Sequence, residues 1–158
     1  MSIAVLKSVH LRETENGAAL KTEKDLAIKT LAEDSVFQPA NTNTPGPYDL
    51  SLSIQDGRLV MDIKGADGTS LPALVLSVKP YTRLIRDYFM MIESYETLRR
   101  QGTACQLETV DMARRGLHDE GAALLIERLE GKIALDHETA RRLFTLICIL
   151  HGQHFPVF

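Results

Sequence analysis

The stretch Leu50-Ser51-Leu52-Ser53-Ile54-Gln55-Asp56-Gly57-Arg58-Leu59-Val60-Met61-Asp62-Ile63 decides the fold. Its apolar residues alternate on both sides of an Asp-Gly pair, the pattern of two half-buried strands joined by a two-residue turn. A type I′ turn at Asp56-Gly57 pairs Gln55 with Arg58. It then sets Ile54 opposite Leu59, Leu52 opposite Met61 and Leu50 opposite Ile63. All these apolar side chains share one face. A second turn at Asp67-Gly68 leads into Leu71 to Val78, where Leu74, Leu76 and Val78 extend that face and Pro72 suits an edge strand or a strand start. Such a meander has one apolar side that needs a cover, and the sequence left to supply it is helical.

Upstream, Ile3 to Leu11 reads as a first strand, followed by a polar loop around Gly17 and a short amphipathic helix over Glu23 to Phe37. The Pro-rich segment 38–48 reads as an exposed loop. Downstream, Thr82 to Arg100 carries apolar residues at helical spacing. After Gly102, Thr103 and Gln106 form a capping box that opens a second helix running toward Gly131. Gly116 and Gly121 interrupt it, and a glycine inside a helix costs about 1 kcal/mol relative to alanine, so a kink or the close approach of another backbone is expected. Asp136 caps a last helix whose segment Leu143 to Leu150 is apolar nearly all round, the mark of a central buried helix. Gly152 is expected to end it, leaving 152–158 as an irregular tail. The fold expected is α+β: one domain over 1–158, with a small antiparallel sheet in the order β-α-β-β-β covered by three C-terminal helices.

With 158 residues, 44% of them hydrophobic and a formal net charge of -3, the chain can bury a core and lacks the basic surface of a general nucleic-acid binder. No apolar run approaches the roughly 20 residues of a membrane span. No signal peptide is evident, and only two cysteines, Cys105 and Cys148, are present. Both features fit a reducing cytoplasm. The basic residues change type along the chain: the first eighty positions hold six Lys and two Arg, the remainder nine Arg and only Lys132. Arginine presents a planar fork suited to carboxylates and phosphates, so these helices either lace together through ion pairs or build an anion site.

The strings DYFMMIESY (87–95), DMARRGLHDEGAALLIERLEGKI (111–133) and DHETARRLFTLICILH (136–151) resemble a bacterial family of uncharacterised proteins, the one numbered zero-two-six-two. PGPYDLSLS (45–53) and VKPYTRLIRDYF (78–89) carry the same likeness, which runs over nearly the whole chain. The resemblance implies a cytoplasmic bacterial protein and transfers no activity, cofactor or catalytic residue.

The candidate chemistry lies in the second helix of the C-terminal half. Asp111, Arg114, Arg115 and His118 stand three, four and seven apart, which places a titratable imidazole beside guanidinium groups on one helix flank. Arg83 and Arg86 of the preceding helix could join them. The string LHDEGAALL is similar to the histidine box of one class of sensor kinases, in which His118 would be the phosphoacceptor and Asp119 the neighbouring acid. Ala123 stands where those kinases usually carry Gln. Cys148, His151 and His154 recur every three residues, but Gly152 interrupts them and a structural zinc site usually needs four ligands, so no metal is assigned. Cys105 lies in a first helical turn without an evident base. No catalytic signature occurs, and no catalytic residue or cofactor is assigned. Two functional expectations follow. The first is a non-catalytic cytosolic regulatory or protein-interaction domain with an unidentified protein partner and no nucleic-acid or membrane partner. The second is an anion-binding or histidine phosphotransfer protein using His118 with Arg114, Arg115, Asp111, Arg83 and Arg86. Assembly as a homodimer is left open.

Overall fold

In a computed structural model that describes residues 5–11 and 21–154, with the side chains of 153 and 154 outside the description, the hairpin forms in the expected register. Strand β3 (Tyr48–Gln55) pairs antiparallel with β4 (Arg58–Lys64), with Ile54 opposite Leu59, Leu52 opposite Met61 and Leu50 opposite Ile63. Asp56 has φ 53° and Gly57 φ 72°, the two positive values that a type I′ turn demands. Strand β5 (Leu74–Ser77) adds to β4 as an edge, where Leu76 is buried and Val75 faces outward.

Strand β1 (Leu6–Leu11) completes a four-stranded sheet in the order β1-β3-β4-β5, and here the sequence reading needs correction. The strand runs parallel to β3, so the sheet is mixed and only its meander is antiparallel. A register irregularity between Leu6 and Ser8 lets Leu6 and Val9, three apart, both reach the core. A parallel neighbour needs a crossover. The crossover contains helix α1 (Lys21–Glu33) and the short strand β2 (Phe37–Pro39). Helix α1 stops four residues before the expected Phe37 because Ser35 Oγ accepts the backbone N–H of Leu6, 2.8 Å away, and Thr139 Oγ1 accepts that of Val36 at 2.9 Å. Phe37 then enters β2 and is buried. β2 pairs antiparallel with β6 (Ile133–Leu135), a strand that the sequence reading did not contain. The segment 38–48 is therefore not exposed throughout: Pro39, Gly46 and Tyr48 are buried, and Tyr48 opens β3.

A 3₁₀ turn at Lys79–Tyr81 leads into α2 (Thr82–Gln101), which is followed by α3 (Ala104–Arg128) and α4 (His137–His154). Thr103 Oγ1 accepts the N–H of Gln106 while Gln106 Oε1 accepts that of Thr103, the expected capping box. Asp136 accepts the N–H of Thr139 at the start of α4, also as expected. α4 packs against β3, α1, α2 and α3, and Leu143, Phe144, Leu146, Ile147, Cys148, Ile149 and Leu150 are all buried. An apolar surface on every side is what this central position requires. The helix passes Gly152 and continues to His154, so the tail expected from 152 is helical at its start, and residues 155–158 lie outside the described residues. A Cβ at Gly152 would stand 2.4 Å from Cζ of Phe89, so glycine lets the aromatic ring of α2 rest on the α4 backbone. Gly121 does the same for Phe144, whereas Gly116 faces open space. From Glu93 to Glu120, spanning the end of α2 and most of α3, no residue is buried, and these two helix segments project as an arm. Among the described residues, no helix is long and apolar enough to cross a membrane.

Candidate functional site

Where the arm meets the body, α1, α2, α3 and α4 border a half-open cavity of about 950 Å³. Each helix contributes by its period. His118 and Arg114 lie one turn apart on α3, and Arg141 and Thr145 one turn apart on α4. Tyr88, Met91, Ile92 and Tyr95 come from α2, and Leu26 and Ala27 from α1. Four cations, Lys21, Arg114, Arg141 and Arg142, line the space with three carboxylates, Glu23, Glu96 and Glu138, while Asp111 and Asp119 pair with Arg114 and Arg141 from behind it.

His118 is the centre of this wall. Its Nε2 is 3.2 Å from Thr145 Oγ1, and that hydroxyl donates in turn to the Arg141 carbonyl at 3.2 Å. With the hydroxyl hydrogen so used, Nε2–H is the donor to Thr145 and Nδ1 carries the lone pair. The ring packs 5.6 Å from Tyr88 and 6.3 Å from Phe144, centroid to centroid. Burial, and then the charges of Arg141 and Arg114, push the His118 pKa down from 6.5 to about 4 against the opposing pull of Asp119. The imidazole is thus neutral at physiological pH. Tyr88, from α2, is held protonated by burial.

Between pH 6.5 and about 4 the unfolded chain carries a proton on His118 that the folded chain does not, so the stability this residue contributes is lost as pH falls through that window. Its slope reaches about 1.4 kcal/mol per pH unit. Relative to the wild type, His118→Gln is therefore expected to regain stability steadily on acidification from pH 7 to 4. Urea unfolding of both proteins across that range checks it, and parallel curves would show that the imidazole does not resist protonation.

The six residues singled out in the sequence divide at this site. His118 and Arg114 line the cavity together. Asp111 stands behind them, with Oδ1 2.6 Å from Arg114 Nη2 and Oδ2 2.9 Å from Arg115 Nη2, and these guanidiniums hold its carboxyl below the ordinary range. Arg115 does not line the cavity and stays on the outer flank of α3. Arg83 turns to Asp87 at 3.3 Å and to Glu120, fastening α2 to α3. Arg86 is exposed and does not line the cavity. Sequence reasoning missed Arg141, Arg142 and Thr145. The only local trace of them was the four-residue spacing of Arg141 and Thr145, and their role depends on the docking of α4 against α3. Asp119 meets His137 at 3.1 Å and Arg141 at 3.6 Å, a pair of links between the same two helices.

Other constellations lack reactive geometry. Ser8 Oγ donates to Asp49 Oδ1 on the outer face of the sheet, and His10 Nε2 lies 3.2 Å from Ser8 Oγ. A hydrolytic triad places the imidazole between hydroxyl and carboxylate; here the hydroxyl is in the middle and its proton is already committed. Cys148 is buried in α4, and burial pushes its thiol well up; His151, one turn on, is also buried, and the side chain of His154 lies outside the description. Among the described residues, no three His, Cys, Asp or Glu side chains gather as a metal site. Cys105 is exposed in the first turn of α3 and does not line the cavity.

Residues 4–153 match the model of an uncharacterised protein family, UPF0262. The chain belongs to this family. A UPF0262 protein of Erythrobacter litoralis is 50% identical over 137 residues, covering 85% of this chain and 86% of its own. One from Xanthobacter autotrophicus is 45% identical over 153 residues, covering 95% and 93%. One from Mesorhizobium japonicum is 47% identical over 131 residues, covering 83% and 81%. No solved structure matches the chain. The UPF0262 description carries no activity, so the chemistry rests on the residues of the cavity.

Proposed function

We propose that this protein is a non-catalytic cytoplasmic regulatory domain that holds a small anion in the interhelical cavity. One observation carries the reading: guanidiniums from two different helices, Arg114 of α3 and Arg141 of α4, bear together on a neutral His118 in the wall of the cavity. Arg142 adds a third cation, loosely held 3.8 Å from Glu138, with donors to spare for a ligand. An anion seated among these groups gains charge-assisted hydrogen bonds from preorganised donors. Catalysis finds less support, because the Thr145 hydroxyl is tied to a carbonyl and the imidazole is wedged between Tyr88 and Phe144. Phosphotransfer meets the same obstacle, since the Nε2 that would accept a phosphoryl group is occupied by Thr145. A protein partner would read the bound state through the arm, where Met112 is 64% exposed, and through Met90, 54% exposed just before it.

Thermal melting in a panel of organic anions and neutral isosteres tests this. A ligand at a hundred times its Kd stabilises by about 2.7 kcal/mol, or roughly 5–11 °C for a domain of this size. The shift is expected with anions, not with their neutral amides, and is expected to vanish in the Arg141→Ala, Arg142→Ala double variant. Equal shifts with acid and amide, or a double variant that responds like the wild type, would remove the anion from the reading.

A further inference from the structure

The outer flank of the arm combines features that nothing in the single chain accounts for. Val110 and Leu117 turn one side of α3 inward. The opposite flank carries Cys105, Thr109, Met112, Gly116 and Ala123, all exposed and spaced by three, four and seven residues along one helix face. Met112, at 64%, is the most exposed large apolar side chain among the described residues. Its neighbours on the stripe are short, and the Thr109 hydroxyl is tied down by donating to the Cys105 carbonyl at 3.0 Å. Gly116 costs the helix about 1 kcal/mol relative to alanine, yet nothing lies within 4 Å of its Cβ position. Packing within this chain does not ask for glycine there. A second helix lying on the flank does, because a residue without a side chain lets two helix axes approach closely.

The charges beside Met112 select that helix. Glu108 and Arg115 are exposed on one side of the stripe, four residues before Met112 and three after it. Glu108 has no ion-pair partner among the described residues, and Arg115 reaches Asp111 through Nη2 alone, which leaves other donors for a neighbour. With Asp111 and Arg114 counted as well, the charges from 108 to 115 cancel, so two copies of this surface meet without net repulsion. Antiparallel contact centred on Met112 sets Glu108 of each copy beside Arg115 of the other, twice over; parallel contact would set Glu108 against Glu108. Met112 also stands eight residues from each end of the exposed stretch of α3, Ala104 to Glu120. Antiparallel overlap about it therefore runs the full length of both arms before either tip meets the other body.

We propose that the arm is a dimerisation element, in which the outer flank of α3 packs antiparallel on the same flank of a second copy about a two-fold axis at Met112. The proposal assigns no role to the cavity and stands apart from the anion reading. A second chain supplies the packing that the arm lacks in one, and packing is the source of most helix stability.

Sedimentation equilibrium of the full chain from about 1 μM to about 1 mM tests it, since a single helix face roughly 24 Å long makes a small interface and a weak dimer. The chain is expected to pass from monomer to dimer over that range. Glu108→Arg and Arg115→Glu each turn two attractive contacts into repulsive ones and are expected to weaken the dimer about tenfold; the double swap is expected to restore it to within about threefold of the wild type. Gly116→Leu is expected to weaken it at least about tenfold, while urea unfolding at about 1 μM finds the monomer no less stable. In a Cys105→Ser background, Met112→Cys is expected to join two chains through a disulfide in oxidised glutathione. Wild-type Cys105 is not, because its two copies stand about 20 Å apart in this arrangement and a disulfide needs Cα atoms within about 7 Å. A monomer at every concentration would overturn the proposal. So would a double swap no tighter than its single parents, a dimer that ignores Gly116→Leu and separates on Leu26→Glu, or a wild-type chain that cross-links through Cys105.

Discussion

Phe144→Ala is expected to lower the unfolding free energy by about 3–5 kcal/mol, the range for removing a fully buried aromatic ring whose neighbours cannot collapse into the space. The ring is wholly inaccessible, touches the α3 backbone at Gly121, and packs edge-on against His118. It therefore joins the central helix to the base of the arm. A loss of this size is a large share of the 5–15 kcal/mol that holds a typical domain together. Urea unfolding should show a lowered midpoint with the slope retained. A loss below about 1 kcal/mol would mean that α4 is not the keystone of the core.

The second large effect comes from the opposite side of the same contact. A Cβ at Gly121 would lie 2.5 Å from Cγ of Phe144, and the inner atoms of a buried ring have nowhere to move. Gly121→Leu is expected to destabilise by about 3 kcal/mol through overpacking, despite leucine's better helix propensity. Gly116, five residues earlier, is a natural control: nothing stands within 4 Å of its Cβ position, so Gly116→Ala should stabilise by about 0.4–1 kcal/mol. Combining Gly121→Leu with Phe144→Ala lets the new side chain occupy the vacated ring space. The pair should fall short of additivity by 0.5–3 kcal/mol. Strictly additive losses would show that the two residues do not meet.

These glycines mark the boundary of what sequence can say. Both interrupt the same helix and either could have been the site of close approach; only the crossing of α3 over α4 distinguishes them. The hairpin was legible because Asp56-Gly57 fixes a two-residue turn, and that turn fixes every pair beyond it. The central helix was legible because an all-apolar circumference has one physical home. The parallel pairing of β1 was not, since it joins residues some forty apart and depends on a crossover. β2 and β6 escaped for another reason. Three residues carry no usable period, and Phe37 was drawn out of its helical pattern by the pairing with Leu135.

The candidate site follows the same division. His118 with Arg114 was readable because both sit on one flank of one helix. Arg83 lay on a plausible helix but turned to Glu120, a choice made by the packing of α2 on α3. Arg141, Arg142 and Thr145 came to the cavity only through the register of α4 against α3. A site assembled from four helices is a property of their mutual placement, and single-helix spacing supplies no more than one wall of it.

The arm from Glu93 to Glu120 has a mechanical consequence. Holding no fully buried side chain, it takes its strength from helix hydrogen bonds, from the half-buried Val110 and Leu117, and from surface ion pairs such as Arg99 with Glu96, which are worth little individually. Its tilt is set at the fulcrum, where Arg83 grips Glu120 and His118 meets Thr145. The fulcrum borders the crook in which α1 faces α2. Whatever wedges into that crook braces a lever some three turns long, so a change of less than an ångström at the pivot becomes a much larger swing at the tip near Cys105.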